Sequence, residues 1–112
     1  MRIIAKSIVV GILLSGCNST LENAKTLEFK VWGNCGMCKK TIEGSLKDKP
    51  GLYSADWNVK SKQMKVVVDS TKIKSEDVHE YIATSGYDTD LIKGNDQAYS
   101  NLHKCCKYDR KP

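Results

Sequence analysis

The chain has 112 residues and a formal net charge of +5 at pH 7, with 28% of its residues charged. This length holds one small domain, which is too little for a multidomain enzyme. The basic residues are spread along the chain without interleaved aromatic residues, so we expect no nucleic-acid partner.

Residues 1–16 have the composition of a bacterial leader. Their start is basic, and the apolar run over 8–14 is too short to span a bilayer. The run ends in Leu-Ser-Gly before Cys17, which resembles the lipobox of bacterial lipoproteins. That resemblance implies cleavage before Cys17 and lipidation of this cysteine, with 17–25 as the lipidated tether. We expect a protein held in the cell envelope by a lipid anchor, on the extracytoplasmic side of a membrane; an ordinary secretory signal with an incidental Cys17 is the alternative.

The first strand and helix follow from the spacing of apolar residues. Strict alternation over 27–31 predicts a half-buried strand. Apolar residues at i, i+4 and i+8 predict an amphipathic helix over about 37–47, which stops before the Pro50-Gly51 turn.

Two more strands and a second helix complete the predicted domain. Alternation over 53–59 and 64–68 predicts a hairpin, and Ser75 is a plausible N-cap for a helix that ends at Gly86. A last short strand is expected over 87–92. The order is β-α-β-β-α-β, so the sequence predicts an α+β fold, a ferredoxin-like sandwich, for residues 26–93.

Two thiols, Cys35 and Cys38, lie on the loop between the first strand and the first helix. Unpaired N–H groups and the positive end of the helix dipole favour thiolate over thiol there. Thiolate is the form that binds a metal or attacks a disulfide. A bridge within C-x-x-C would be strained and would constrain very little chain.

With these elements in place, residues 26–93 resemble heavy-metal-associated domains: copper chaperones, metal-binding domains of copper-transporting ATPases and periplasmic mercury-binding proteins. The resemblance rests on the Cys-x-x-Cys loop and on three short runs, Lys-Lys-Thr-Ile-Glu at 39–43, Pro-Gly-Leu at 50–52 and Ser-Gly-Tyr at 85–87. It implies that Cys35 and Cys38 bind a soft metal as thiolates. It also implies transfer by ligand exchange to a metal-transporting membrane protein or another metal carrier. One departure is Gly33, where the family commonly has a methionine that orders the loop. Either Met37 or Trp32 substitutes for it, or the loop is looser.

Two thiolates best satisfy Cu(I), which accepts near-linear coordination; Hg(II) also accepts two thiolates, and Zn(II) is possible although it takes four ligands. Three neighbours are candidate outer-sphere residues. Lys39 can offset negative charge or be a solvated lysine, and Met37 can be a weak third ligand or can shield the site. Tyr87 matches a position where related bacterial domains place a tyrosine near the metal loop, although a core role is the alternative.

Residues 94–112 form a tail beyond the domain, for which helical spacing predicts a short third helix. The tail contains His103, Cys105 and Cys106, all of metal-ligand type. The vicinal cysteines can form a ring disulfide, bind a metal, or supply ligands to the first site if the tail folds back. They can also pair with Cys35 or Cys38, or be a simple buried pair. We expect an accessory metal or redox role for the two cysteines, with His103 either a third member of that group or an ordinary surface histidine.

Three function classes remain on sequence grounds. The first is a binding module, a membrane-tethered carrier or scavenger of Cu(I), Hg(II) or another soft metal. The second is an enzyme, a thiol–disulfide oxidoreductase with Cys35 as nucleophile, but the chain has only Pro50 and Pro112 and lacks a proline where a thioredoxin-like site needs one. The third is a sensor or adaptor read by a membrane partner. No hydrolytic motif is present, so we expect no enzyme.

Overall fold

The computed structural model describes residues 23–112, so the leader, Cys17 and most of the tether lie outside the described residues. In chain order, the elements are β1 (Ala24–Lys30), α1 (Gly36–Gly44), β2 (Leu52–Trp57), β3 (Gln63–Asp69), α2 (Ser75–Thr84), α3 (Asp96–Ser100) and a 3-10 helix (Lys104–Cys106).

The sheet is antiparallel in the order β1-β3-β2, with β3 in the centre. Its register places Met64 of β3 opposite both Phe29 of β1 and Trp57 of β2. Side chains two apart in a strand share a face, so the apolar face is continuous along β3 while alternate residues such as Lys65 remain exposed.

The two longer helices contribute the other half of the core. Ile42 of α1 and Val78 and Ile82 of α2 are fully buried in one cluster with the apolar face of the sheet. The spacing at i and i+4 explains why each helix presents one apolar stripe. These layers confirm the predicted α+β fold class.

The fourth strand expected over 87–92 is reduced to a single antiparallel bridge between Val31 and Thr89. The chain turns immediately after the bridge, because the Thr89 hydroxyl accepts hydrogen bonds from the N–H groups of Leu91 and Ile92 at 3.2 and 3.1 Å. A side chain that bonds its own downstream backbone competes with the sheet ladder. The strand prediction was therefore wrong in extent.

The helix boundaries also differ from the predicted ones. The N-cap of α2 is Lys74 and not Ser75: Asp77, in the first turn, accepts a hydrogen bond from the Lys74 N–H at 2.9 Å. In the tail, α3 ends at Ser100, and an extended His103 separates it from the 3-10 helix. The single tail helix that spacing predicted is thus two short pieces.

The tail packs back onto the end of the domain. The Tyr108 hydroxyl donates to the Gly86 carbonyl at 2.7 Å and accepts from the Asp88 N–H at 3.0 Å. Arg110 holds the buried Asp88 carboxylate with bonds of 2.7 and 3.1 Å. Gly94 crosses so close to Tyr87 that a Cβ atom would lie 2.8 Å from the Tyr87 backbone. These contacts fix the 3-10 helix beside α1.

Candidate metal centre

The metal loop, which we define as residues 33–38, connects β1 to α1. Gly33 is buried against Trp57, and a Cβ atom at Gly33 would lie 2.9 Å from the indole ring. The ring is anchored by its own N–H, which donates to the Val31 carbonyl at 3.0 Å. Trp57 therefore occupies the space beneath the loop, whereas the sequence suggested Met37 or Trp32 for this role.

The two loop cysteines have different environments. Cys35 is the N-cap of α1 and is partly exposed, whereas Cys38 is the third residue of the helix and is completely buried. The Cys38 thiol donates to the Asn34 side-chain oxygen at 2.9 Å. Of the two loop sulfur atoms, that of Cys35 is thus the one that an incoming ligand meets first.

The helix N-terminus acts on Cys35 as expected for an anion at that position. The backbone N–H groups of Cys38 and then Met37 lower the pKa of the Cys35 thiol, and they outweigh the opposing effect of burial. A lowered pKa increases the thiolate fraction at neutral pH, which favours binding of a soft metal.

The tail brings two more sulfur atoms to the loop. The sulfur atoms of Cys35, Cys105 and Cys106 all lie within 4.8 Å of one another, and Cys105 and Cys106 are 3.9 Å apart. Met37 adds a thioether sulfur 3.3 Å from the Cys105 sulfur. We call Cys35, Cys38, Cys105 and Cys106 the sulfur cluster. No disulfide joins these four cysteines, which are the ones that the structure describes.

The four thiols differ in access to solvent. Cys105 is exposed, while Cys106 is buried beneath it. Burial, with a hydrogen bond to the Cys38 sulfur as the next cause, raises the pKa of Cys106 to about 12. The cluster therefore pairs an accessible, acidic thiol at Cys35 with a protected one at Cys106.

Tyr87 lies under the cluster with its side chain fully buried. Its hydroxyl has no hydrogen-bond partner among the described residues, although the sulfur atoms of Cys38 and Cys106 are its neighbours. Burial is the main cause that raises the pKa of Tyr87, so the hydroxyl keeps its proton. It is available as a donor to a thiolate.

Two predicted site residues lie elsewhere. His103 is exposed and does not belong to the group of sulfur ligands. Lys39 donates to Glu43, Asp56 and the Trp57 carbonyl at 2.7 to 2.8 Å, which uses all three of its ammonium hydrogens. Its charge is therefore directed to carboxylates of α1 and β2 and not to the sulfur cluster.

Sequence reasoning did not identify three residues that shape the site. Asn34 bonds Cys38, Trp57 supports the loop and Tyr108 docks the tail. Asn34 had a usable signal, since a polar amide next to a Cys-x-x-Cys loop lies within reach of its thiols. Trp57 and Tyr108 act over long sequence separations, for which residue spacing carries no signal.

Residues 34–88 match the heavy-metal-associated domain family. Copper chaperone CopZ of Staphylococcus aureus (strain JH9) is 34% identical over 55 residues, which are 49% of this chain and 81% of that chaperone. The chain belongs to the heavy-metal-associated domain family. Its domain is therefore a metal-binding one, as the resemblance implied.

Solved structures of this family have the same fold. A CopZ metallochaperone superposes with a TM-score of 0.56 at 32% identity, covering 58% of this chain and 98% of that one. A copper binding domain from HMA7, a P-type ATPase, gives a TM-score of 0.56 at 26% identity, covering 58% of this chain and 89% of that one.

The tail lies outside the family match, which ends at residue 88. Neither Cys105 nor Cys106 therefore has a counterpart in the family match. None of the helices within residues 23–112 has the length and hydropathy of a transmembrane span.

Proposed function

We propose that this protein binds Cu(I) through Cys35 and Cys38 and transfers it, as a carrier tethered to the extracytoplasmic side of a membrane. The observation that carries the proposal is the pairing of Cys35, partly exposed at the N-terminus of α1, with Cys38 in the first turn of the same helix. A thiolate favoured by the helix N-terminus can bind a soft ion and still be reached by the thiol of a partner.

Cu(I) suits this loop better than the other candidate ions. Two thiolates complete a low-coordinate Cu(I) site, whereas Zn(II) takes four ligands in a closed site. Two of the similar proteins, the copper chaperone CopZ and the copper binding domain of a P-type ATPase, are named for copper, and this supports Cu(I) as the bound ion. Hg(II) also accepts two thiolates, so a mercury scavenger is the alternative function.

Transfer requires a partner that approaches the loop. We propose a metal-transporting membrane protein or another metal carrier, which exchanges its own thiolates for those of Cys35 and Cys38. The likeness to a P-type ATPase domain supports such a partner, because two copies of one loop type can share an ion during exchange. Met37, 45% exposed beside the cysteines, supplies an apolar contact for docking.

The test is anaerobic titration of the reduced full chain, in detergent, with Cu(I) against a competing chelator. We expect one tight equivalent in the wild type and a loss of more than about 100-fold in affinity in Cys35→Ser/Cys38→Ser, equivalent to ~2.7 kcal/mol. His103→Ala is the matched control, since it removes an exposed metal-ligand side chain that is separate from the sulfur cluster.

Two outcomes would contradict the carrier proposal. Preference for Hg(II) over Cu(I) in direct competition would favour the scavenger. Absence of tight metal binding, together with rapid disulfide exchange with oxidised glutathione, would favour the oxidoreductase. Circular dichroism of each variant separates a lost ligand from a lost fold, which matters for the buried Cys38.

The membrane anchor needs its own experiment. Cells that express the wild type should incorporate labelled fatty acid into the protein and retain it in the membrane fraction. Cys17→Ser should abolish both, while Cys105→Ser, at an exposed cysteine of the tail, should change neither. Release of the wild type in soluble form would contradict the anchor and leave metal binding untouched.

A further inference from the structure

We propose that Cys105 and Cys106 of the docked tail are ligands to the ion held at the metal loop, so that the site offers three thiolates or more instead of two. This inference rests on the proposed function, because the ion is the soft one that Cys35 and Cys38 bind. It goes beyond the family match, which ends at residue 88 and includes neither tail cysteine.

The sulfur positions already suit a shared ion. With metal–sulfur bonds of about 2.3 Å, two sulfur atoms bound to one ion lie roughly 4 Å apart. Cys105 and Cys106 are separated by 3.9 Å, and both lie within 4.8 Å of the Cys35 sulfur. Small side-chain rotations therefore bring these three atoms around one ion without displacement of the tail.

The buried hydroxyl of Tyr87 is an independent observation that points to a ligand. A buried donor without a partner destabilises the fold, and native proteins rarely leave one. The Tyr87 side chain is fully buried, and its neighbours are Cys38 and Cys106. Metal binding converts thiols to thiolates, which are strong acceptors, so the loaded site gives this hydroxyl its missing partner.

The tail is held where its cysteines are needed. The Tyr108 hydroxyl forms hydrogen bonds with Gly86 and Asp88, which lie on either side of Tyr87. Arg110 donates hydrogen bonds to the buried carboxylate of Asp88. These bonds fix the backbone two to four residues after Cys106. The arrangement is therefore built by specific buried contacts and not by the cysteines alone.

Exposure of Cys105 suggests how the ion leaves. Cys106 and Cys38 are buried, whereas Cys105 and Cys35 are accessible from solvent. A partner thiolate can displace Cys105 first and Cys35 afterwards, each step forming one metal–sulfur bond as another breaks. The extra ligands then raise affinity while leaving a route for exchange.

The test loads the reduced full chain, in detergent, with one equivalent of Cu(I) and counts its sulfur ligands by X-ray absorption spectroscopy. We expect three or more sulfur atoms in the wild type, fewer in Cys105→Ser, and two in Cys105→Ser/Cys106→Ala. Chelator competition should show Cu(I) held about tenfold less tightly by Cys105→Ser, equivalent to ~1.4 kcal/mol. His103→Ala should match the wild type in both measurements.

The outcomes separate this inference from the proposed function. Two sulfur ligands in the wild type, with unchanged affinity in Cys105→Ser, would overturn the tail ligands and leave the two-cysteine carrier intact. Absence of tight Cu(I) binding in the wild type would overturn both. Because Cys105 is exposed, its replacement by serine should not disturb folding, and equal unfolding midpoints check this.

Discussion

Tyr87 contributes both to the folded core and to the candidate metal site. Its ring stacks on Tyr108 with centroids 5.2 Å apart, so it belongs to the core, yet its hydroxyl is unsatisfied among the described residues. The two roles that the sequence left open, core aromatic and neighbour of the metal loop, are therefore compatible. The aromatic ring fulfils the core role, and the hydroxyl oxygen fulfils the role beside the metal loop.

Tyr87→Phe should affect the metal-free and loaded proteins in opposite directions. Removal of a buried, unpaired hydroxyl should raise the free energy of unfolding of the metal-free chain by about 1 kcal/mol. Loss of a donor to the bound thiolates should weaken Cu(I) binding by about tenfold. Urea unfolding and chelator competition measure the two effects.

Tyr81→Phe is the matched control for this substitution, since Tyr81 is only partly buried and packs at the edge of the core. It should leave Cu(I) affinity unchanged. A Tyr87→Phe chain that is less stable without metal would show that the hydroxyl already has a partner, contrary to our interpretation.

The thiols of Cys35 and Cys106 should react with iodoacetamide at very different pH. Only thiolate reacts, and its fraction rises as pH increases through the pKa. Hydrogen bonds from the α1 backbone lower the pKa of Cys35 below the ordinary 9.0, whereas burial raises that of Cys106 to about 12. Alkylation of Cys35 should therefore reach half its maximum rate below pH 9.0, while Cys106 stays unmodified.

Mass spectrometry of peptides after timed alkylation of the metal-free chain tests this order. Urea-unfolded protein is the control, in which both cysteines should react alike. Equal rates in the folded chain would mean that docking of the tail on the domain does not bury Cys106. Protection of Cys35 by added Cu(I) would link the reactive thiol to the metal.

Among the elements, the tail depends on one buried carboxylate. Burial alone would raise the pKa of Asp88, but hydrogen bonds from Arg110 and from the N–H groups of Lys111 and Gly94 lower it below the ordinary 3.8. A carboxyl whose pKa is lowered on folding stabilises the fold above its unfolded pKa. That contribution is lost as pH falls below 3.8 and through the folded pKa.

Asp88→Asn should remove this contribution selectively. At neutral pH we expect the free energy of unfolding to fall by about 2–3 kcal/mol, because charged hydrogen bonds to Arg110 are lost. The difference from the wild type should shrink as pH falls below 3.8, where the wild-type carboxyl also becomes protonated. Urea unfolding across a pH series measures the difference in unfolding free energy at neutral pH and its decrease at acidic pH.

Asp109→Asn, at an exposed carboxylate of the same tail, is the control and should change stability little at any pH. A constant difference between Asp88→Asn and the wild type down to the most acidic samples would contradict the linkage. In that case the asparagine would act through packing and not through charge.

Hydrophobic spacing predicted the elements well where one face is buried against a layer. The stripes of α1 and α2 and the alternation of β1 and β3 are examples, because burial requires a fixed period. Hydrophobic spacing predicted the region after Gly86 less well. Thr89 ends the last strand after one bridge through its own hydroxyl, which is a local competition that alternation does not report.

The candidate site, like the fold, could be predicted from the sequence only in part. The Cys35–Cys38 pair was evident because both cysteines lie on one short loop. The approach of Cys105 to Cys35 spans 70 residues and depends on bonds from Tyr108 and Arg110 to the domain. Such long-range pairing leaves no periodic signal in one sequence. The sequence offered a folded-back tail as one alternative among several.

At the scale of the whole molecule, the tail is part of the core. Tyr108 and Cys106 are 2% and 3% exposed, and both belong to the same buried cluster as Tyr87. Burial of one large side chain contributes about 1.5–3 kcal/mol, a large share of the stability of a small domain. The tail, which lies outside the family match, is therefore built into the core of the domain.

Truncation after Lys93 should therefore destabilise the chain by about 3–5 kcal/mol. It should also expose Tyr87 and Cys38, which the tail covers. Thermal unfolding of the truncated and full chains, both without metal, measures the difference, and acrylamide quenching of tyrosine fluorescence reports the exposure. An unchanged midpoint would show that the domain folds independently of its tail.

The direction of β1 has a consequence for delivery. This strand enters the domain at Ala24 and reaches the metal loop after seven residues, a length of roughly 20 Å. The residue at which the chain enters the domain and the sulfur atoms of the metal loop are thus at opposite ends of the sheet. If Cys17 is the lipidated residue, the ion lies at the end of the domain that is farther along the chain from the lipid, and we propose that a partner reaching over the bilayer surface collects it there.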